Sequence, residues 1–132
     1  MDRQSPPTVL VIDDYDSVRI AIGMILERRG FRVLSADGPP AAIRVWAQHR
    51  SKIDLLLVDI SMPGLSGPEL VRDLLHEGPP VPVIFATGTG EEQARQATKN
   101  ISHPTILQKP FSQDLLVETI NDALAHQARP AR

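Results

Sequence analysis

Three acids, one hydroxyl and one amine stand out as a set: Asp13, Asp14, Asp59, Thr87 and Lys109. Carboxylates brought within reach of one another repel unless a cation sits among them. Hard oxygen ligands of this kind suit Mg²⁺, which keeps several waters and bridges to phosphate. A lysine beside them offers a point charge for a phosphoryl oxygen, and a threonine hydroxyl can donate to another. An aspartate can itself attack phosphorus and become an acyl phosphate, with the metal and the lysine neutralising charge on the transferred group. Together the five residues read as phosphoryl transfer to a carboxylate. Singly, each has an ordinary explanation. Asp13-Asp14 can cap a helix, Asp59 ahead of Met62-Pro63-Gly64 can sit in a turn, Thr87 before Gly88 can be a turn or cap, and Lys109 before Pro110 can be a solvated loop residue.

Their placement along the chain argues for the set. Five short apolar runs are strand-length: Val9-Leu10-Val11-Ile12, Phe31-Arg32-Val33-Leu34, Leu55-Leu56-Leu57-Val58, Val81-Pro82-Val83-Ile84-Phe85 and Thr105-Ile106-Leu107. The first, third and fourth are apolar on both faces, which suits strands buried between helical layers. Helical patterns alternate with them. Val18, Ile22, Ile25 and Leu26 form a stripe, with Gly30 as its stop. Ala42, Val45 and Trp46 give a weaker one. Ser66-Gly67-Pro68-Glu69 reads as a capping box opening a helix through Leu70, Leu74 and Leu75, with Gly78-Pro79-Pro80 ending it. Thr89-Gly90-Glu91-Glu92 repeats that spacing ahead of a polar helix, Gln93 to Lys99, which has only Ala94 and Ala97 to bury and is therefore expected to be loosely held. Ser112 caps a last helix carrying Leu116, Ile120, Ala123 and Leu124 inward.

Alternating strands and helices imply a parallel sheet with right-handed crossovers. Sites in such sheets form at the carboxyl ends of the strands. Asp13 and Asp14, Asp59, Thr87 and Lys109 follow the first, third, fourth and fifth runs, so four strands would deliver them to one edge.

The chain has 132 residues, a net charge of −2, 42% apolar residues and 4% aromatics. Length and composition suit one globular domain with an aliphatic core. The charge gives no basic footprint for nucleic acid. With no cysteine, disulfides and thiolate metal sites are excluded. No apolar run approaches the roughly 20 residues that span a bilayer, and the start shows no signal-peptide pattern. The expected location is cytoplasmic.

Four segments, in order and spacing, resemble the receiver domains of bacterial response regulators: Val11-Ile12-Asp13-Asp14, Asp59 through Gly67 (Asp-Ile-Ser-Met-Pro-Gly-Leu-Ser-Gly), Ala86-Thr87-Gly88 and Lys109-Pro110-Phe111. The resemblance covers residues 8–125, leaving a disordered N-terminal tail at 1–7 and a C-terminal tail at 126–132. It implies a doubly wound, flavodoxin-like α/β fold: five parallel strands in the order 2-1-3-4-5, flanked by five helices. It makes Asp59 the phosphoacceptor, with Asp14, Asp59 and the Ser61 backbone carbonyl on Mg²⁺ and Asp13 acting through water. Lys109 would contact the phosphoryl group, Thr87 would move toward it, and the Lys109-Pro110 bond would be cis. The implied donor is a phosphohistidine on a sensor kinase or phosphotransfer protein. The implied protein is not an enzyme in the ordinary sense but an acceptor that also loses its phosphoryl group. Output would run through a target protein or a homodimer, using the fourth helix, fifth strand and fifth helix.

This sequence departs from the family where many members carry an aromatic residue three before the lysine; here it is Ile106. Ser61 and Thr89 occupy positions that tune hydrolysis in the family, and neither is acidic or amide-bearing. Two other functions compete. Asp14-Tyr15-Asp16-Ser17-Val18 is similar to the first motif of haloacid-dehalogenase-type phosphohydrolases, with Asp14 as nucleophile, Asp16 as general acid and Asp114 or Asp122 as the later acid. A non-signalling pseudo-receiver is the other. Only Gln127 to Arg132 are expected beyond the last helix, so output is expected to come from a partner, from dimerisation or from onward transfer rather than from a further domain; the segment Thr87-Gly88-Thr89-Gly90-Glu91 also resembles receivers carried by hybrid kinases.

Overall fold

A computed structural model describes residues 5–76, 80–101 and 103–128. Strands and helices alternate: β1 (Thr8–Ile12), α1 (Asp16–Arg28), β2 (Arg32–Ala36), α2 (Pro39–His49), β3 (Leu55–Asp59), α3 (Gly67–Leu74), β4 (Val83–Thr87), α4 (Glu91–Ala97), β5 (Thr105–Gln108) and α5 (Gln113–Ala128). A single 3₁₀ turn, Arg50–Lys52, links α2 to β3. The sheet is parallel in the order β2-β1-β3-β4-β5, as the resemblance implied.

All residues of β1 and β3 are buried, because each face meets helices. On one face, Leu10, Ile12, Leu56, Val58 and Phe85 pack with Ala42, Trp46, Leu70, Leu74 and Ala94 from α2, α3 and α4. On the other, Val9, Val11, Leu55, Leu57 and Ile84 pack with Ile22, Leu26, Leu116 and Ile120 from α1 and α5. Each fully buried Leu or Ile contributes about 1.5–3 kcal/mol, so the central strands anchor the sheet whose ends carry the site.

Local chemistry sets the boundaries. Gly30 takes a φ of 93° after α1; its amide reaches Glu27 O, and the Phe31 amide reaches Leu26 O. That pair of bonds is a Schellman stop. Phe31 is therefore a buried cap residue and β2 begins at Arg32. β4 starts at Val83 rather than Val81, since Pro82 has no amide to give a ladder; its carbonyl instead accepts from Leu56 N at 3.0 Å. α3 opens on the expected capping box between Ser66 and Glu69 and closes at Leu74; Gly78 and Pro79, expected to end it, lie outside the described residues, as do residues 1–4 and 129–132 of the expected tails. α5 continues to Ala128, beyond the boundary expected at 125.

The fourth helix corrects the sequence reading. It spans Glu91–Ala97, its N-cap is Gly90, and it has no side-chain cap. Ala97 is exposed, and Thr98 is buried beside Ala94, bonding its hydroxyl to Ala94 O at 2.9 Å. A threonine is accepted there because the preceding turn satisfies its hydroxyl. No helix among the described residues is long and apolar enough to cross a membrane.

Candidate functional site

The parallel register brings the strand ends together. Ile12 lies beside Val58 in the β1–β3 ladder, so Asp13 emerges next to Asp59, which in turn pairs with Ala86 on β4. Thr87 pairs with Gln108 on β5, and its carbonyl accepts from Lys109 N at 2.7 Å. The peptide bond between Lys109 and Pro110 is cis, as implied.

Asp13, Asp14 and Asp59 can each place a carboxylate oxygen within 4.8 Å of the others. Asp13 and Asp59 are buried and Asp14 is half-buried. The Lys109 ammonium donates to Asp13 Oδ2 at 2.8 Å and stands 3.8 Å from Asp59 Oδ1. The other oxygen of Asp13 accepts from Tyr15 N at 2.9 Å, and Asp59 Oδ1 takes a long bond of 3.4 Å from Ser61 N. Asp14 Oδ1 is buried with no partner among the described residues. A buried carboxylate oxygen left unpaired is costly, unless a cation completes it.

Burial pushes the Asp59 carboxyl up to about 6 from an ordinary value of 3.8; the Lys109 ammonium pulls it down, Asp13 pushes it up, the Ser61 amide lowers it and Asp14 raises it. Loss of water is the largest cause. A hard divalent cation among these oxygens would favour the charged form of Asp59 and use the orphaned atom of Asp14. The donor set therefore fits such an ion.

Gly67 shapes the floor of the site. A Cβ there would lie 2.3 Å from the Asp59 carbonyl oxygen, and its amide bonds Ile60 O at 2.8 Å. Only glycine lets the start of α3 sit this close to the strand carrying Asp59. In the sequence Gly67 reads as part of a cap, and its contact with β3 has no local signal. Arg19 is missed by the motifs as well: its guanidinium donates to Asp13 O and Asp16 Oδ1 and braces the first loop, and the spacing of Asp16 and Arg19 is the available signal.

Thr87 is buried, but its hydroxyl is engaged by Thr89: Oγ1 to Oγ1 is 2.7 Å, and Thr89 N donates to Thr87 Oγ1 at 3.0 Å. The acids that a dehalogenase-type phosphohydrolase requires lie elsewhere. Asp16 is exposed and paired with Arg19, and Asp114 is exposed and paired with Arg29. Neither Asp114 nor Asp122 joins the acidic cluster. A surface hollow of about 1230 Å³, lined by residues of α3, β4, α4, β5 and α5, contains none of the five residues. The acidic cluster lies at the carboxyl ends of β1 and β3, with Asp14 its most exposed member.

Residues 9–121 match the family described as the response regulator receiver domain. Protein PilH of Pseudomonas aeruginosa is 32% identical over 119 residues, covering 89% of this chain and 97% of that protein. Sensor kinase CckA of Brucella abortus is 29% identical over 96% of this chain, which spans 13% of the kinase. The chain likewise spans a third or less of several other curated relatives. A response regulator receiver domain protein from Clostridium thermocellum, of known crystal structure, superposes with a TM-score of 0.81 at 31% identity, covering 92% of this chain and 96% of that one.

Proposed function

Because this chain belongs to the response regulator receiver domain family, we propose that it accepts a phosphoryl group on Asp59 with the help of Mg²⁺ and signals through the change that follows. Aspartyl phosphorylation by a kinase is the general function of that family. The observation that carries the residue assignment is the convergence of Asp13, Asp14 and Asp59 with Lys109 at the ends of three strands.

In this reading Asp14, Asp59 and the Ser61 carbonyl would hold Mg²⁺, with Asp13 acting on it through water, and Asp13 anchors Lys109. The metal, when bound, screens the acids and neutralises charge on the phosphoryl oxygens. An Asp59 oxygen attacks phosphorus as the bond to the donor's histidine nitrogen breaks. The electron pair returns to the imidazole, and an acyl phosphate forms. The Lys109 ammonium then turns from Asp13 to the new phosphoryl group, and the Thr87 hydroxyl donates to it. Loss of the group to water would reset the switch.

The donor is a sensor histidine kinase or histidine phosphotransfer protein. The reading carries with it a cytoplasmic location, where ATP-fed kinases work. A homodimer or target protein would meet the face formed by α4, β5 and α5. α4 supports that choice: only Ala94 within it is buried, so little packing resists its rearrangement.

The test is incubation with acetyl phosphate and Mg²⁺ followed by intact-mass measurement. The wild-type chain gains one phosphoryl group and Asp59→Asn gains none. Undiminished labelling of Asp59→Asn would overturn the assignment.

A further inference from the structure

Resting on the reading of Asp59 as phosphoacceptor, we propose that Thr89 is the latch of this switch: it holds Thr87 at rest and caps α4 once Thr87 is drawn away. Among the described residues, the Thr89 hydroxyl and amide both bond to Thr87. The hydroxyl meets Thr87 Oγ1 at 2.7 Å and the amide donates to the same oxygen at 3.0 Å. These are the two groups a capping box needs from its first residue: a side-chain oxygen to accept from the amide three residues on, and an amide for that residue's carboxylate.

The third residue on is Glu92, and α4 begins with no side-chain cap. At rest the Glu92 carboxylate is spent on Arg95 and Gln96 instead. α3 shows the same Ser/Thr-x-x-Glu spacing with the box closed: Glu69 N donates to Ser66 Oγ, and Ser66 N donates to Glu69 Oε1. The α4 box is therefore present in sequence and open in structure, because Thr87 occupies the bonds of its first residue.

The Thr89 amide has one proton and cannot serve Thr87 and Glu92 together, and the hydroxyl held on Thr87 Oγ1 is turned from the amide of Glu92. When Thr87 turns its hydroxyl to a phosphoryl group on Asp59, it releases the Thr89 hydroxyl and amide together. Both then find partners on Glu92, and the helix gains a turn-opening residue at Thr89. Gly88 and Gly90 flank Thr89, and a Cβ at either would meet nothing within 4 Å; the loop has both the space and the backbone freedom to reset. No aromatic ring at position 106 is required. Phosphorylation at β3 is read out as firmer closure of the first turn of α4.

The experiment is amide hydrogen exchange of α4 by NMR, with intact mass recorded in parallel. In the wild-type chain, labelling by acetyl phosphate and Mg²⁺ slows exchange at Glu92 and the following turn roughly fivefold, the effect of gaining one cap. Thr87→Val slows the same amides without any phosphodonor, because the latch is released. Thr89→Ala takes label yet shows no slowing, and Thr89→Ser restores it. Unchanged α4 exchange in Thr87→Val, or equal slowing in labelled Thr89→Ala, would overturn the latch. A wild-type chain that takes no label would instead count against Asp59 as acceptor, and the unlabelled Thr87→Val comparison would still decide the latch.

Discussion

The Lys109 ammonium spends its closest contact on Asp13, at 2.8 Å, and stands 3.8 Å from Asp59. One cation thus balances part of a three-carboxylate cluster, and it occupies the space between two of them. Removing it leaves buried negative charge uncompensated. Lys109→Ala is expected to lower stability in chelator by about 1–3 kcal/mol, measured by urea unfolding. The same change deepens the negative potential, so Mg²⁺ affinity measured by calorimetry rises roughly three- to tenfold.

Proton binding at Asp59 gives the apo protein a defined pH response. Its carboxyl titrates near 6 in the folded chain, raised from an ordinary 3.8, with burial as the first cause. The folded state holds this proton more tightly than the unfolded state. Its contribution is therefore full below pH 4 and is lost as pH rises through about 6, a change of up to about 3 kcal/mol. Asp59→Asn flattens this part of the stability profile in chelator. Mg²⁺ binding shows the opposite trend, weakening as pH falls below about 6, because proton and metal compete for the same carboxylate.

Gly67→Ala tests the close approach of α3 to β3. The added methyl would fall 2.3 Å from the Asp59 carbonyl oxygen, a backbone atom that has little freedom to yield. The expected cost is about 2–3 kcal/mol by urea unfolding, as for overpacked cores. The shift also moves the strand end, so the rate of labelling by acetyl phosphate falls.

Ser66→Ala removes the closed box on α3. About 1 kcal/mol is expected to be lost, with labelling of Asp59 retained, because Ser66 Oγ bonds only Glu69 among the residues that meet here.

Much of this arrangement was legible in the residue order. The unbroken apolar runs of β1 and β3 announced strands buried on both faces, and their last residues pointed to Asp13 and Asp59. Ser66 and Glu69 announced their own box. What the sequence could not show depends on contacts between distant segments. The spacing of Thr89 and Glu92 is the same as that of Ser66 and Glu69, yet one box is closed and the other open, because a residue on β4 competes for Thr89. The burial of Thr98 rather than Ala97 places it four residues after Ala94, on the face that α4 turns to the sheet, and that facing is set by packing between distant segments. Gly67 reads locally as a cap residue; its role appears only when β3 lies against it.

The most direct test of the account is to locate the phosphoryl group chemically. Acyl phosphate formed with acetyl phosphate and Mg²⁺ is reduced by borohydride, and the modified residue is read by peptide mass spectrometry. Reduction is expected at position 59 alone, and none when Mg²⁺ is chelated. Reduction at Asp13 or Asp14, or labelling indifferent to chelation, would contradict it.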